Sequence, residues 1–270
     1  MRYPGLILAL MLAAPVAAQD SGLDSLTRRD ETLGWEAVGR LDFGDAGFCT
    51  GTLIATDLVL TAAHCLFDRQ TGAPEDIGRI RFRAGLRDGE AVDEAAAARA
   101  VAHRGYDPRE RTGEHSIRHD LALVQLAEPI PAAVAAPFAV RTPGDSDRVS
   151  VVSYAKGREE ALSWQRSCTV LGRQNGLLAF NCDVDFGSSG APVFDRSQGR
   201  ARIVSIISAG TRDETGTIAF GMELSVLLAD LKAALRSGQG VLTAAKAEPR
   251  IRRIGQADGS RDIGARFVTP

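Results

Sequence analysis

The sequence predicts an all-β protein of the sandwich or barrel type, with one helix near its C-terminus. Three observations carry that prediction. Short apolar runs of strand length recur between Gly, Pro and Asp residues. The run Ile80-Arg81-Phe82-Arg83 alternates apolar and charged residues, the mark of a half-buried strand. Helical spacing appears in Leu224, Leu227, Leu228, Leu231 and Leu235, with Gly238 and Gly240 beyond the end.

In chain order, a first series of strands is expected at Ala37–Phe43, Phe48–Ile54, Leu58–Thr61, Arg79–Gly85 and Leu121–Leu126. Ala91–Val101 lies among them with a helix-prone composition. The proline-bearing stretch Glu128–Pro143 reads as a connector. A second series follows at Arg148–Tyr154, Ser167–Arg173, Leu177–Cys182, Pro192–Asp195, Arg202–Ser208 and Thr217–Met222. The helix, over Glu223–Arg236, is expected to pack on this second half. Val241–Pro270 is rich in Arg, Gly and Asp without periodicity, and residues 239–270 are expected to form a disordered tail.

Composition bounds the function. Hydrophobic residues make up 44% and charged residues 24% of 270, an ordinary globular balance that can fill a core. Net charge is -2, so no overall nucleic-acid footprint is present.

The N-terminus reads as an export signal spanning residues 1–18. Arg2 supplies the positive end, Leu6–Ala14 an apolar run, and Val16-Ala17-Ala18 small residues for cleavage after Ala18. That run is well short of the ~20 apolar residues a spanning helix needs, so no stable membrane insertion is expected. A secreted or periplasmic protein is expected. Residues 19–34, with the dibasic Arg28-Arg29, read as an N-terminal segment or a short pro-segment.

Export frames the cysteines, Cys49, Cys65, Cys168 and Cys182, an even number in an oxidising compartment. Four cysteines allow three connectivities. Gln174-Asn175-Gly176 signals a hairpin turn. If it is centred on Asn175, residues whose numbers sum to about 350 face each other across the strands, and Cys168 with Cys182 meet that condition. Cys49 then pairs with Cys65. Zinc is the competing reading, but neither pair has CxxC spacing.

Acyl transfer by serine needs a hydroxyl, a base to take its proton, and a group that orients the base. Phe186-Gly187-Ser188-Ser189-Gly190-Ala191-Pro192 sets Ser189 between glycines that permit a tight turn, with the N–H groups of Gly187 and Ser189 as candidate oxyanion donors. Val59-Leu60-Thr61-Ala62-Ala63-His64-Cys65 sets His64 directly after a strand, and Asp120 opens Leu121-Ala122-Leu123-Val124-Gln125-Leu126. A carboxylate leading a buried strand is costly unless hydrogen-bonded, and a histidine N–H is an apt partner. Taken singly, each has a structural reading: a Gly/Ser turn, a surface or core histidine, a strand-leading turn residue. His103, His115 and His119 share no periodicity and read as surface or loop residues.

Together the segments resemble the chymotrypsin and trypsin family of serine proteases. Cys49-Thr50-Gly51-Thr52-Leu53-Ile54 with Val59–Cys65 is similar to its histidine region, His119-Asp120-Leu121-Ala122-Leu123 to its acid motif, and Gly187–Pro192 to its nucleophile motif. The order His, Asp, Ser is that family's. Ile206-Ile207-Ser208-Ala209-Gly210 is similar to the strand along which substrate backbone binds. The resemblance spans roughly Trp35–Ala233. It implies two perpendicular six-stranded antiparallel β-barrels, the first over residues 35–135 and the second, with the C-terminal helix, over 136–238. It also implies a triad of His64, Asp120 and Ser189, polypeptide substrates and an acyl-enzyme intermediate; a monomer is expected, and no cofactor or metal, because the triad supplies nucleophile and base.

Two departures shape the expectation. Where the trypsin branch has an aspartate before the nucleophile, this chain has Ser188, and no Ile-Val-Gly-Gly start follows Arg29. The pattern is closer to the bacterial glutamyl-endopeptidase branch, and competence without trypsin-style activation is expected. Asp183 lies six residues before Ser189, the offset at which trypsins carry their specificity carboxylate, so Asp183, Ser208 and Gly210 are candidate substrate contacts. The rival readings are a protease-like binding protein without catalysis, which would ordinarily have lost a triad member, an esterase using the same triad, and a structural secreted β-protein whose Gly/Ser turn is accidental.

Overall fold

The computed structural model describes residues 23–244, apart from 45, 46, 111, 112, 145–147, 198, 214 and 215. The expected export signal, and the tail beyond Ala244, lie outside the described residues.

The first half contains β1 (Leu23–Ser25), α1 (Arg29–Thr32), β2 (Val38–Asp42), β3 (Phe48–Ala55), β4 (Leu58–Thr61), β5 (Arg81–Ala84), β6 (Asp93–Ala102), α2 (Glu114–His119) and β7 (Ala122–Leu126). The second contains β8 (Arg148–Ala155), β9 (Arg158–Gln174), β10 (Leu177–Phe180), β11 (Pro192–Asp195), β12 (Arg202–Ile206), β13 (Ala209–Asp213), β14 (Gly216–Met222), α3 (Ser225–Ser237) and β15 (Val241–Thr243).

Strands β6-β5-β2-β3-β4-β7 close into a six-stranded barrel, because β7 pairs back onto β6. The second sheet runs β12-β11-β8-β9-β10-β14-β13, with β1 added on β9, and forms a half-barrel. Its end strands, β12 and β13, are successive stretches of one segment joined at Ile207-Ser208.

The barrel core is filled by alternating inward residues such as Leu41, Leu53, Leu60, Phe82 and Leu123, all fully buried. A smaller core under the half-barrel gathers Val151, Leu178, Phe180, Val193 and Ile207. Between the halves, Trp35 makes tilted ring contacts with Trp164 and Phe194 at 5.1 Å each and with Phe138 at 5.9 Å. Aromatic faces of this size bind the halves through buried area and ring geometry.

Three expectations are corrected. Ala91–Val101 is not helical: β6 occupies Asp93–Ala102, and its pairing with β5, β7 and β15 outweighs alanine's helix preference. Helix α3, expected to pack on the second half, makes its main contacts with β6 and β7 of the barrel, with Leu228, Leu231 and Leu235 buried. It ends at Gly238, whose φ of +78° supplies the left-handed cap. Val241–Thr243, expected to be disordered, extends the sheet as β15 beside β6.

Both disulfides form as expected, Cys49–Cys65 and Cys168–Cys182. The hairpin register differs in detail. Asn175 and Gly176 form a two-residue turn with φ of +51° and +79°, so Leu177 faces Gln174 and Ala179 faces Gly172. A bulge at Leu171 then shifts the pairing, so that Phe180 faces Val170 and the two cysteines come within reach.

Candidate active site

A cleft of about 720 Å³ runs between the two halves, lined by His64, Asp120, Ser189, Ser208, Gly210 and Arg212 among others. His64 sits in the 3₁₀ turn Ala63–Leu66 that follows β4. The Cys49–Cys65 bridge ties that turn to β3. Asp120 caps the C-terminus of α2 just before β7, and its residue is 3% exposed.

A carboxylate this deeply buried requires donors, and Asp120 has three. Its Oδ1 accepts from the His64 backbone N–H at 2.8 Å. Its Oδ2 lies 2.7 Å from His64 Nδ1 and accepts from the Ser208 hydroxyl at 2.5 Å. The carboxylate therefore holds the imidazole ring and the backbone that carries it, and Ser208 holds the carboxylate.

The loop around Ser189 can be read by accounting for its backbone groups. Every carbonyl from Asp185 to Ser189 accepts a bond. Asp185 O takes the Ser188 N–H at 2.9 Å, Phe186 O the Lys156 N–H at 2.7 Å, and Ser188 O the Ala191 N–H at 2.9 Å. Gly187 O takes the Thr50 hydroxyl and Ser189 O the Thr50 N–H, both at 2.9 Å. The N–H groups of Asp185, Phe186, Ser188 and Gly190 are also used. Among the described residues, the N–H groups of Gly187 and Ser189 alone in this loop have no acceptor.

Two glycines make the loop possible. Gly187 has φ of +93°, and a Cβ there would fall 2.3 Å from Phe48. Gly190 has φ of +78°, and its Cβ would fall 2.3 Å from Thr61 Oγ1 and 2.4 Å from Thr50 O. Either position tolerates no side chain without displacing its neighbours.

Ser189 and His64 face the same cleft, and among the described residues no hydrogen bond joins the Ser189 hydroxyl to the ring. Such contacts often tighten only when substrate is bound. Tyr106 also lines the cleft, and burial pushes its phenol well above the usual tyrosine range.

The other anticipated residues meet mixed outcomes. Ser208 reaches the site through Asp120, and Gly210 lines the cleft where a Cβ would fall 2.7 Å from Val184. Asp183 does not present a free carboxylate. Arg212 Nη2 lies 2.5 Å from its Oδ1, and Thr217 donates to the same oxygen at 3.3 Å. Arg212 and Thr217 are cross-strand partners on β13 and β14, and their pairing brings the guanidinium over Asp183.

Sequence reasoning missed Arg212 because its relevance depends on that register. It missed Thr50 because only the folded loop shows what the hydroxyl holds. His103, expected at the surface or in a loop, lies in the loop that follows β6 and is buried there, with its ring stacked on His119 at 5.3 Å. Burial, then the neighbouring His119, lowers its pKa against the pull of Asp230. His119 ends α2 and turns its ring toward His103 and His115.

Comparison with known proteins yields a coherent set. The family described as trypsin-like peptidase domain matches residues 49–202. Glutamyl endopeptidase of Bacillus licheniformis is 27% identical over 185 residues, covering 66% of this chain and 55% of that protein. Human serine protease 56 is 37% identical over 97 residues, covering 36% of this chain and 14% of that protein. The chain thus spans less than two thirds of the length of these curated relatives. Among solved structures, a Glu endopeptidase in complex with MPD superimposes with a TM-score of 0.66 at 21% identity, covering 81% of this chain and 99% of that one.

Proposed function

The chain belongs to the trypsin-like peptidase family, and from that premise we propose that it is an exported serine endopeptidase working through Ser189, His64 and Asp120. The observation that carries the proposal is the pair of unclaimed N–H groups on Gly187 and Ser189, beside a hydroxyl that shares its cleft with an Asp120-bound imidazole.

The mechanism follows from those groups. Ser189 Oγ attacks the scissile carbonyl carbon, and His64 Nε2 takes the hydroxyl proton. The carbonyl oxygen becomes an oxyanion received by the Gly187 and Ser189 N–H groups, which no acceptor within the described residues claims. His64 returns the proton to the leaving amine as the C–N bond breaks, leaving an acyl ester on Ser189. Water then attacks that ester with His64 again as base, releasing the acid and restoring the serine. Asp120 keeps Nδ1 protonated and stabilises the imidazolium at each stage.

For the side chain before the scissile bond, the reading differs from a free-carboxylate pocket. Asp183 is already met by Arg212, so a Lys or Arg side chain would have to displace a resident cation. Export is supported by the paired cysteines. No helix among the described residues is long and apolar enough to cross a membrane. The proposal is tested by peptide release from a denatured protein substrate. Wild type should digest it, and His64→Ala should lose activity by at least ~10³-fold. Equal digestion by the two proteins would reject the assignment.

A further inference from the structure

We propose that Thr50 is a positioning residue, whose buried hydroxyl fixes the oxyanion loop in working form while the N-terminal segment remains attached. The inference rests on the serine-peptidase reading above and concerns how its oxyanion site is kept in shape.

Thr50 lies on β3 and is fully buried. Its hydroxyl donates to Gly187 O at 2.9 Å and accepts from the Tyr154 N–H at 3.1 Å. Its backbone N–H separately donates to Ser189 O at 2.9 Å. One residue of the first barrel thus grips the loop on both sides of Ser188 and ties it to β8 of the second half. The loop needs outside ties, because Gly187 at φ +93° sits where glycine has free choice of conformation. Without the hydroxyl, Gly187 O is left buried and unpaired, and rotation about Gly187 becomes its escape. That rotation carries the neighbouring N–H groups out of line.

Ser188 completes the lock without charge. It is fully buried, donates to Ser153 Oγ at 3.3 Å or Tyr154 O at 3.4 Å, and accepts from the Asp185 N–H at 3.3 Å. A neutral hydroxyl offers an incoming ammonium group no counter-charge. The N-terminal segment is meanwhile built into the sheet. Leu23, Asp24 and Ser25 pair with Gln165, Trp164 and Ser163, and the Leu26 N–H donates to Leu162 O at 2.8 Å. Leu26 is 2% exposed. Cleavage after Arg29 would strip a strand from β9 instead of freeing a loose leader.

The test uses the full chain as wild type, Thr50→Val and Thr50→Ser, with kcat and KM measured on one amide substrate. Thr50→Val keeps shape and the backbone tie while removing the hydroxyl. Its kcat should fall by roughly 10- to 100-fold, a fraction of what losing a whole oxyanion donor costs, with KM within about twofold. Thr50→Ser should return kcat to within about threefold of wild type. Intact mass of fluorophosphonate-labelled wild type should show residues 23–29 still present. Thr50→Val working within twofold of wild type, or Thr50→Ser failing to restore a folded enzyme, would overturn the positioning role. Labelling only after loss of residues 23–29 would overturn the locked loop, even if Thr50→Val does not fold. A wild type inert to both substrate and probe would sink the serine-peptidase reading itself, which an active wild type with an indifferent Thr50→Val would leave standing.

Discussion

Replacing Asp120 by asparagine separates charge and tautomer control from packing, because the two side chains have nearly the same shape. The structure dictates how the amide must sit. The His64 backbone N–H points at Oδ1 from 2.8 Å, so the amide oxygen has to take that place. The amide NH₂ then faces His64 Nδ1, 2.7 Å away in the native carboxylate geometry. Two donors cannot share that contact, so Nδ1 becomes an acceptor and the ring proton moves to Nε2, the nitrogen that should receive the Ser189 proton. Flipping the amide would set NH₂ against the His64 N–H and leave buried donors unpaired, at about 1–3 kcal/mol each. The wrong tautomer is therefore enforced. In a Ser-His-Asp triad this change costs about 10⁴ in kcat, or about 5.4 kcal/mol at about 1.36 kcal/mol per decade. The assay is kcat on an amide substrate from pH 6 to 9, with thermal unfolding run beside it to show an intact fold. A folded Asp120→Asn enzyme within tenfold of wild type would overturn the role of Asp120 in setting the His64 tautomer.

Three further outcomes are expected. Arg212→Ala should uncover Asp183 and raise kcat/KM for Lys or Arg before the scissile bond by at least tenfold relative to a neutral residue; an unchanged ratio would mean that Asp183 faces away from the substrate. Gly190→Ala should destabilise the protein by on the order of 3 kcal/mol, from a strained positive φ combined with a Cβ driven into Thr61 and Thr50, and an unfolding midpoint equal to wild type would contradict the loop geometry. His103 carries a lowered pKa beside His119, Asp230 and Arg104, so the unfolded chain binds its proton more readily than the folded one. Its contribution to stability is thus full above the unfolded value of about 6.5 and is lost as pH falls through the lower folded value. The fall in unfolding midpoint from pH 7 to 5 should be shallower in His103→Asn, and an equal slope would reject the assignment.

How far the sequence carried these conclusions depended on the range of the interactions. Ser189, His64 and Asp120 were legible as candidates only as an ordered set, since a glycine-flanked hydroxyl, a post-strand histidine and a strand-leading carboxylate are short-range patterns that each also fit a structural role. The α3 span was legible from leucine spacing, yet its packing partner was not. Periodicity shows that a face is buried without showing against what. Alanine-rich β6 was hidden because its strand state is imposed by the strands flanking it. Arg212 became visible as a partner of Asp183 only once the β13–β14 register set it beside Thr217. The Cys168–Cys182 bridge was anticipated with a turn centred one half-residue away from the real one, and the Leu171 bulge supplied the difference.

Ser189 as nucleophile is tested by covalent labelling of the folded, oxidised protein with a fluorophosphonate probe, followed by peptide mapping, on wild type and Ser189→Ala. Stoichiometric modification at Ser189, and none in the variant, is the expected result. A folded wild type that stays unlabelled, or label that maps to another residue and persists in Ser189→Ala, would contradict it.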